Sequence, residues 1–344
     1  MGGDIRLAIL GCGEITRIGH LPAAAIHPGI GTLWLIDADV SRARRLAEHF
    51  RLDCQIAPDY KAVLPQIDAL INALPNSLHA PVNLETIHAG VHLLCEKPLA
   101  TTAADARACC EAADKKGVLL AVGMNRRFVA SHTLLPIVLQ EGHLGELLGY
   151  DWPYGGVFDW TSASGFYFSR KLAGGGALLD FGVHLLDSLI DWFGPVIHFD
   201  YQDDDWGSGI EANAILDLQH SGKFGKIEGQ VRVSRTYPLR NRLLIRGSKA
   251  QAEIPADDPD TLVIHREASG VELSETLRLP NFAGTTTFYK QLDNFIESIR
   301  GNQKLESDGW QALRVIELIE ACYAHRRRIP EPWSEVAQPE DAVR

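Results

Sequence analysis

Residues 8–23 read AILGCGEITRIGHLPA, and this stretch decides how the first part of the chain folds. A strand-like apolar run ends just before Gly11 and Gly13, and a helix is predicted directly behind them. In such a strand–loop–helix unit the first glycine permits a tight turn, and the second lets a diphosphate approach the backbone at the helix N-terminus. The stretch therefore predicts a dinucleotide-binding βα unit, with a purely structural βα turn as the alternative. The residues predicted to contact the dinucleotide are Gly11, Gly13, Glu14 and Ile15.

An acid at the end of the next apolar run supports the dinucleotide interpretation. Asp37 follows Gly13 by 24 residues, near the position where an acid accepts hydrogen bonds from the adenosine ribose hydroxyls and repels a 2′-phosphate. NAD is therefore favoured over NADP, although the arginine-rich segment that follows could also bind a phosphate. The motif is incomplete, because Thr16 stands where GxGxxG requires its third glycine. A small residue at that position can still allow the close packing of helix and strand.

Short apolar runs alternate with amphipathic segments along residues 1–125. Runs such as IRLAIL, DALINAL and VHLLCE are continuous and short, as expected of strands that are buried on both faces. Helices are predicted between such runs at Ser41–Phe50, Ser77–Ala89 and Thr102–Lys116. Repeated βα units predict an α/β fold with a doubly wound parallel sheet, and we assign residues 1–125 to an N-terminal Rossmann domain that binds NAD(P).

The sequence pattern changes after about residue 126. Apolar and polar residues alternate in EANAILDLQH, KIEGQVRVS and NRLLIRGSKAQAEI, which predicts antiparallel strands with one solvated face. Helical patterns at Phe288–Arg300 and Trp310–Arg327 follow, and DDDW at residues 203–206 is interpreted as an acidic surface loop. We therefore assign residues 126–344 to a second α/β domain.

Composition excludes several classes of partner. At 344 residues the chain is long enough for two domains, and its net charge of −11 and pI near 5.6 argue against nucleic acid or an anionic membrane. No apolar run approaches the roughly 20 residues of a membrane span, and the glycines and acid before the first apolar run are unlike a signal peptide. The six cysteines form no CxxC pair and no zinc-site spacing, so we predict no metal site and a cytoplasmic location.

A second dense cluster of functional residue types is AGGGALLDFGVHLLD, residues 173–187. In a helix Asp180, His184 and Asp187 would share one face, because they are spaced at i, i+4 and i+7. A carboxylate beside an imidazole orients it and stabilises its protonated form, as general acid–base catalysis requires. The three glycines upstream could let the backbone pass close to a ligand. The alternative is an amphipathic helix whose polar face only meets water.

Five motifs occur in a specific order along the chain: GHLPA, PNSLHAP, EKPLA, MNRRF and GGGALLDFGVH. Together with the closing ESDGWQALRVIELIEACYAHRR they resemble the Gfo/Idh/MocA family, which includes glucose–fructose oxidoreductase and inositol dehydrogenase, over nearly the whole chain. The resemblance implies an N-terminal Rossmann domain and a C-terminal α/β domain with a large, mostly antiparallel open sheet. It also implies hydride transfer between NAD(H) or NADP(H) and a hydroxyl or ketone of a sugar, cyclitol or sugar derivative. The implied assembly is a homodimer or homotetramer that associates through the C-terminal sheet.

The resemblance also assigns residues to the site. Lys97 matches the family's EKP lysine, and Asp180 and His184 match its catalytic aspartate and histidine. We expect Lys97 and His184 to divide the chemistry at the reacting oxygen between them, as base and as hydrogen-bond donor. The matched cofactor-side residues are Asn76 and His79 in the PNxxH segment, and Glu96. A further departure from the family is Leu74, where many members have threonine.

Substrate contacts are predicted from an aromatic stretch. Eight aromatic residues lie within residues 150–168, directly before the glycine and histidine motif, and aromatic faces stack on sugar C–H surfaces. We select Trp152 and Trp160 from this stretch as substrate contacts, with a packed crossover segment or an oligomer contact as the alternatives. Arg127 from MNRRF is a further predicted substrate contact, with a structural role at the domain junction as its alternative. Two other functions stay open: an NAD-dependent glycosidase of the same family, and a non-catalytic NAD- or sugar-sensing regulator. The presence of both catalytic residue types disfavours the regulator.

Overall fold

The computed structural model describes residues 4–159, 165–279 and 286–329, so the predicted substrate contact Trp160 lies outside the described residues. Its strands are β1 (Ile5–Leu10), β2 (Ile30–Ile36), β3 (Gln55–Ala57), β4 (Ala69–Asn72), β5 (His92–Cys95), β6 (Leu120–Val122), β7 (Leu147–Gly155), β8 (Val196–Asp203), β9 (Asn213–Gly222), β10 (Gly225–Ser234), β11 (Leu243–Gly247), β12 (Gln251–Ile254), β13 (Thr261–Ala268), β14 (Val271–Arg278) and β15 (Arg327–Arg328). Its α-helices are α1 (Leu21–Ile26), α2 (Val40–Phe50), α3 (His79–His88), α4 (Ala103–Lys116), α5 (Ala130–Gln140), α6 (Arg170–Ala173), α7 (Val183–Phe193), α8 (Thr287–Ile299) and α9 (Gly309–Ala324).

Within the described residues, six strands form a parallel sheet in the order β3-β2-β1-β4-β5-β6. This is the strand order of a doubly wound dinucleotide-binding fold, so the predicted Rossmann architecture is confirmed. All of β4 and most of β1 are buried, as expected of inner strands in a sheet that is covered on both faces. The sequence analysis missed β3, because its three residues are too few to show a periodic pattern.

Local signals set the ends of the helices that connect these strands. α4 begins after Thr102, whose hydroxyl oxygen accepts the N–H of Asp105 at 3.1 Å, and it ends at Gly117 with φ +71°. α2 follows Asp39, whose carboxylate accepts the N–H of Ser41 at 3.1 Å. The predicted starts of both helices lie one residue from the observed ones.

The first of two compact units contains the parallel sheet. Its described residues are 4–125, 165–174 and 286–316. The unit also contains α8, which packs on α1 and places Phe295 in the same buried apolar cluster as Ile9 of β1. The predicted second domain, residues 126–344, includes α8. Helical periodicity shows that a helix is packed, but it does not show which sheet the helix packs against.

The second compact unit contains a mixed sheet. Its described residues are 126–159, 175–279 and 317–329. Nine of the described strands form this sheet in the order β14-β13-β12-β11-β7-β10-β9-β8-β15. Neighbouring strands are antiparallel except for the pairs β7–β10 and β8–β15. The hairpins β9–β10 and β11–β12 confirm the predicted antiparallel strands, and the N–H of Gly247 donates to the carbonyl of Ala250 at the turn between β11 and β12.

Three further observations bear on location and ligands. No helix in the described residues is both long and apolar enough to cross a lipid bilayer. Residues 4–159, 165–279 and 286–329 contain no group of three or more His, Cys, Asp or Glu side chains that could hold a metal ion. All six cysteines are free thiols, and five of them are buried.

A buried hydrogen-bond chain lies in the core of the second unit. The hydroxyl of Tyr150 on β7 lies 2.8 Å from Nε2 of His220 on β9, and Nδ1 of His220 lies 2.9 Å from the Gly194 carbonyl oxygen. Burial lowers the pKa of His220, so its ring is neutral, with Nδ1 donating and Nε2 accepting. Phe193 stacks on Tyr150 with ring centroids 5.5 Å apart. The polar side-chain atoms of Tyr150 and His220 are therefore satisfied within this chain.

We expect Tyr150→Phe to lower the free energy of unfolding by about 1–2 kcal/mol, because it leaves Nε2 of His220 buried without a donor. Urea denaturation followed by circular dichroism measures this loss. The control is Tyr60→Phe, which removes an exposed hydroxyl bonded to Glu85 and should change the free energy by less than about 0.5 kcal/mol. Equal effects in the two variants would contradict the assigned chain.

Candidate functional site

The glycine loop after β1 is shaped by one glycine and left open by the other. Gly11 has φ +98°, and a Cβ there would lie 2.7 Å from the carbonyl oxygen of Ala73. Only glycine therefore fits at this position. At Gly13 an added Cβ would meet nothing within 4 Å. At Gly11 the loop therefore packs against the residues that follow β4. At Gly13 the space beside the backbone is open to a ligand.

Thr16 takes the place of the third glycine and gives the loop an extra hydrogen bond. Its side chain is fully buried, and its hydroxyl donates to the Gly11 carbonyl oxygen at 2.6 Å. The helix begins at Glu14 and passes through a π-helical turn, Thr16–His20, before α1. The departure from GxGxxG therefore ties the start of the helix to the loop instead of loosening it.

Asp37 stands at the end of β2 and also holds the glycine loop. One carboxylate oxygen accepts the N–H of Cys12 at 2.9 Å, and the other accepts the N–H of Asp39 at 2.9 Å. Each carboxylate oxygen can accept more than one hydrogen bond, so the fixed Asp37 keeps acceptor sites for ribose hydroxyls. Arg42, from the segment that could have bound a 2′-phosphate, lies 3.4 Å from Asp39. The negative charge at this strand end therefore favours NAD.

These observations together fit a bound NAD. A helix begins at Glu14, directly after the open backbone at Gly13, and continues through the half-buried Ile15. The first N–H groups of a helix have no partners within it, so they can bind a diphosphate. The Glu14 carboxylate is held by Arg17 at 2.8 Å, on its own helix. The Asp37 carboxylate could supply the acceptor for the ribose. The four predicted loop residues and Asp37 thus lie in one unit, and their contacts with the cofactor stay predictions.

Glu96 and Lys97 follow β5 at the same edge of the sheet, and the partner of Glu96 is a histidine that the sequence analysis missed. Glu96 is buried, one carboxylate oxygen lies 2.8 Å from Nε2 of His20, and the other accepts the backbone N–H of Lys97 at 3.1 Å. Burial raises the pKa of Glu96, but His20 and Lys97 outweigh it, so the pKa lies below its usual value. Glu96 is therefore a buried, ionised acid, whereas Lys97 is only half-buried.

His79 is a structural residue, which corrects its predicted cofactor contact. Its side chain is fully buried, with Nδ1 2.6 Å from the Pro98 carbonyl oxygen and Nε2 2.8 Å from that of Leu74. Burial lowers the pKa of His79, although both carbonyls and Glu96 act in the opposite direction. His79 is the first residue of α3. Its ring contacts one carbonyl group after β4 and one after Lys97, so it joins these two segments. It has no surface left for a ligand.

Asn76, from the same PNxxH segment, is only half-buried and binds a different part of the first unit. Its side-chain amide donates to the Ala173 carbonyl oxygen at 2.8 Å. This bond attaches residues 165–174 to the turn after β4. The predicted cofactor contact of Asn76 stays a prediction.

Asp180 and His184 lie at the start of α7 in the second unit. Asp180 is in a five-residue π-helical turn, Leu178–Gly182, directly before α7, so its spacing to His184 is not that of a regular α-helix. The buried Asp180 accepts a hydrogen bond from Arg235 at 2.9 Å. Arg235 was missed because it lies 55 residues away, just after β10. His184 is half-buried, as a group that exchanges protons with a ligand must be.

Asp187, on the predicted polar face of α7, does not meet water. Asp187 is only 2% exposed and accepts two hydrogen bonds from Arg127, at 2.7 and 2.8 Å, and Arg127 also lies 3.1 Å from Asp191. Arg127 is itself buried. These ion pairs give Arg127 a structural role between the turn Asn125–Phe128 and α7, which is the alternative to substrate contact. Asp187 likewise belongs to this ion pair, not to the catalytic pair.

The three glycines upstream are required by protein packing, not by a ligand. Gly174 ends α6 with φ +84°. A Cβ at Gly176 would overlap the backbone of Glu211, and a Cβ at Gly175 would overlap the ring of Tyr323. The expectation that these glycines let the backbone approach a ligand is therefore wrong for Gly175 and Gly176.

Trp152 packs in the core of the second unit, which is the alternative to its predicted substrate contact. Its ring is 6% exposed and stacks on Trp192 with centroids 5.9 Å apart. Tyr154, two residues on, is half-buried, meets Phe181 edge-on and lies under the guanidinium of Arg126, 4.3 Å from its ring centroid. Phe181 directly follows Asp180 in the sequence, so this aromatic contact lies beside a residue of the candidate catalytic pair.

The chain matches two family descriptions. Residues 5–124 match the NAD-binding Rossmann fold of the Gfo/Idh/MocA oxidoreductase family, and residues 139–328 match its C-terminal alpha/beta domain. The two matches correspond to the parallel sheet and to the mixed sheet.

Named relatives include sugar oxidoreductases. D-glucoside 3-dehydrogenase of Escherichia coli (strain K12) is 31% identical over 189 residues, which is 54% of this chain and 52% of that protein, so the match spans about half of each. A dTDP-3,4-didehydro-2,6-dideoxy-α-D-glucose 3-reductase of Streptomyces violaceoruber is 28% identical over 298 residues, 78% of this chain and 85% of that protein. The solved structure of levoglucosan dehydrogenase in complex with NADH and levoglucosan has a TM-score of 0.81 at 20% identity and covers 94% of this chain and 97% of that one. This structural likeness shows the same fold.

We expect Thr16→Val to weaken NADH binding about 5- to 30-fold, because it leaves the Gly11 carbonyl oxygen buried without its donor, a loss of about 1–2 kcal/mol. Titration of NADH fluorescence measures the dissociation constant without any substrate. Thr16→Ser, which keeps the hydroxyl, is the matched control and should bind NADH within about threefold of the wild type. Unchanged affinity in Thr16→Val would show that the hydrogen bond does not shape the loop.

Proposed function

We propose a function from one premise: the chain belongs to the Gfo/Idh/MocA oxidoreductase family. We propose that it transfers a hydride between NAD(H) and a secondary hydroxyl or ketone group of a sugar, cyclitol or sugar derivative. One observation carries this proposal. The glycine loop after β1 and Lys97 after β5 stand at the carboxyl edge of one parallel sheet, where β4 alone separates the two strands, and α/β folds bind their ligands at this edge.

In this mechanism Lys97, His184 and Asp180 each have a role. NAD bound at the glycine loop would supply the hydride acceptor at its nicotinamide ring. Lys97 donates a hydrogen bond to the reacting oxygen and stabilises the charge that develops there. The hydroxyl proton passes to Lys97 or His184, and returns from the same group in the reverse direction, while Asp180 orients the segment that carries His184. The base role is shared between Lys97 and His184 in this proposal.

The relatives suggest where on the sugar to look first. The Escherichia coli protein is named a 3-dehydrogenase and the Streptomyces protein a 3-reductase. We therefore propose position 3 of a hexose derivative as the first candidate for the reacting carbon. We also propose a cytoplasmic protein, supported by its free thiols, and a homodimer or homotetramer that associates through the nine-stranded sheet.

A substrate panel tests the function. The purified protein is incubated with NAD and with free sugars, glucosides, cyclitols and nucleotide-sugars, and absorbance at the NADH band is recorded. Reduction of NAD by at least one sugar class supports the proposal. NADP should support a lower kcat/KM than NAD, since Asp37 repels its 2′-phosphate. Cleavage of a glucoside without net NADH would instead identify the glycosidase, and sugar binding without turnover would identify the regulator.

We expect Lys97→Met and His184→Ala each to lower kcat about 10²- to 10⁴-fold, because each removes a group that acts on the reacting oxygen. Titration of NADH fluorescence should show cofactor affinity within about threefold of the wild type. The matched controls are Lys115→Met and His88→Ala, at exposed positions, and both should keep wild-type kcat. Wild-type kcat in both site variants would contradict the assignment.

A further inference from the structure

Three successive backbone N–H groups before α7 donate to one residue, Glu211. The N–H of Gly176 donates to one carboxylate oxygen at 3.0 Å, and the N–H of Leu178 donates to the other at 2.8 Å. Between them, the N–H of Ala177 donates to the backbone carbonyl of Glu211 at 2.9 Å. Glu211 thus holds the start of the turn that contains Asp180 and leads into the helix of His184.

This start has no cap of its own. The residues at the N-cap positions of the turn Leu178–Gly182 and of α7 are Ala177 and Gly182, which provide no side-chain cap, and the first N–H groups of a helix need partners from elsewhere. The consecutive glycines before it give the backbone more freedom than other residues would. The absence of a Cβ at Gly176 also lets the backbone of Glu211 come close enough to accept these bonds. The position of the turn therefore depends on Glu211.

Glu211 is itself fixed by a buried polar cluster. Its side chain is fully buried, and the hydroxyl of Tyr323 on α9 donates to its carboxylate at 2.9 Å. Nearby, the fully buried Asp203 accepts a hydrogen bond from Tyr201 at 2.6 Å and lies 2.7 Å from Nε of Arg326. The DDDW segment is therefore not simply an acidic surface loop, because its first aspartate belongs to this cluster.

We propose that Glu211 is a positioning residue for hydride transfer, which holds the segment of Asp180 and His184 in place through three backbone N–H groups. The inference rests on the proposed function, and it goes beyond the motifs that identify the family, none of which contains Glu211. Glu211 touches neither reacting atom. It acts through the backbone that carries the residues assigned to the chemistry.

The charge state of Glu211 makes this role sensitive to pH. Burial raises its pKa to about 7, the N–H of Leu178 and the hydroxyl of Tyr323 act in the opposite direction, and the negative charge of Asp203 adds to the rise. Among the described residues, Tyr201, Asp205 and Arg326 also face this cluster, and Asp205 pairs with Arg326. The carboxylate accepts from three donors, whereas the protonated acid replaces one acceptor site with a donor. The clamp therefore weakens as pH falls through about 7.

Stability and activity should respond to this group in opposite directions. The pKa in the fold, about 7, lies above the unfolded value of about 4.5, so the folded state binds the extra proton between these pH values. The contribution of Glu211 to stability therefore falls as pH rises from about 4.5 to 7. Its contribution to kcat rises over the same range. A residue that only supported the fold would move both quantities together.

The first experiment compares pH profiles of kcat. We expect Glu211→Gln to lower kcat about tenfold at pH 8 and to lose the acid limb near pH 7, because its amide cannot accept the Gly176 N–H as a carboxylate does. KM for NAD should stay within about twofold. Tyr323→Phe should move the acid limb to higher pH, because it removes a donor that favours the carboxylate. Glu272→Gln, an exposed acid on β14 of the same unit, is the matched control and should keep the wild-type profile.

The second experiment needs no substrate. Hydrogen–deuterium exchange of the amides of residues 176–184 should be at least about tenfold faster in Glu211→Gln than in the wild type, with strand β10 unchanged. If the wild type oxidises no sugar, the proposed function fails while this exchange result still decides whether Glu211 holds the segment. Wild-type exchange together with a wild-type pH profile would overturn the inference. If Glu211→Gln does not fold, the shift of the acid limb in Tyr323→Phe supports the inference, and an unmoved limb overturns it.

Discussion

A buried carboxylate costs several kcal/mol unless cations or hydrogen-bond donors surround it, and the candidate site depends on four that meet this condition. Glu96 is held by His20, Asp180 by Arg235, Asp187 by Arg127, and Glu211 by backbone N–H groups and Tyr323. Each pairing joins segments far apart in the sequence. If one partner were removed, the buried charge would lose its compensation, and its full desolvation cost would destabilise the fold. These pairings therefore fix the positions of the segments that carry Lys97, Asp180 and His184.

The glycines follow from the same requirement for close backbone contact. Gly11 lets the loop after β1 lie against the Ala73 carbonyl, Gly123 leaves room for the carboxylate of Glu96, and Gly176 lets Glu211 approach. At each of these positions the space that a Cβ would take is already filled by protein atoms. Gly13 differs, because the space beside it is open. Among these four, Gly13 is therefore the glycine whose role points to a ligand.

The sequence could predict what is encoded locally. The parallel sheet, the glycine loop, Asp37 and the caps of α2 and α4 all follow from runs, spacings and single residues within a few positions. Partners such as His20, Arg235 and Glu211 could not be predicted, since they lie 76, 55 and 33 residues from the groups that they hold. His79 was misassigned because a motif gives a residue its place along the chain but not the direction of its side chain. The glycines before α7 were misread for the related reason that their neighbour, Glu211, is distant in sequence.

Glu96 and Glu211 show how one residue type can serve two purposes. Both are buried, and burial raises the pKa of each. Glu96 faces His20, which can carry a positive charge, and Lys97, so its pKa falls below the usual value and its charge is constant near neutral pH. Glu211 has neutral donors and a nearby aspartate, so its pKa stays at about 7. The unit with the glycine loop thus contains a fixed negative charge beside Lys97, whereas the start of α7 is held by a charge that varies with pH. For the proposed proton and hydride transfer, the first arrangement keeps the electrostatic field constant, and the second makes the geometry of the segment depend on pH.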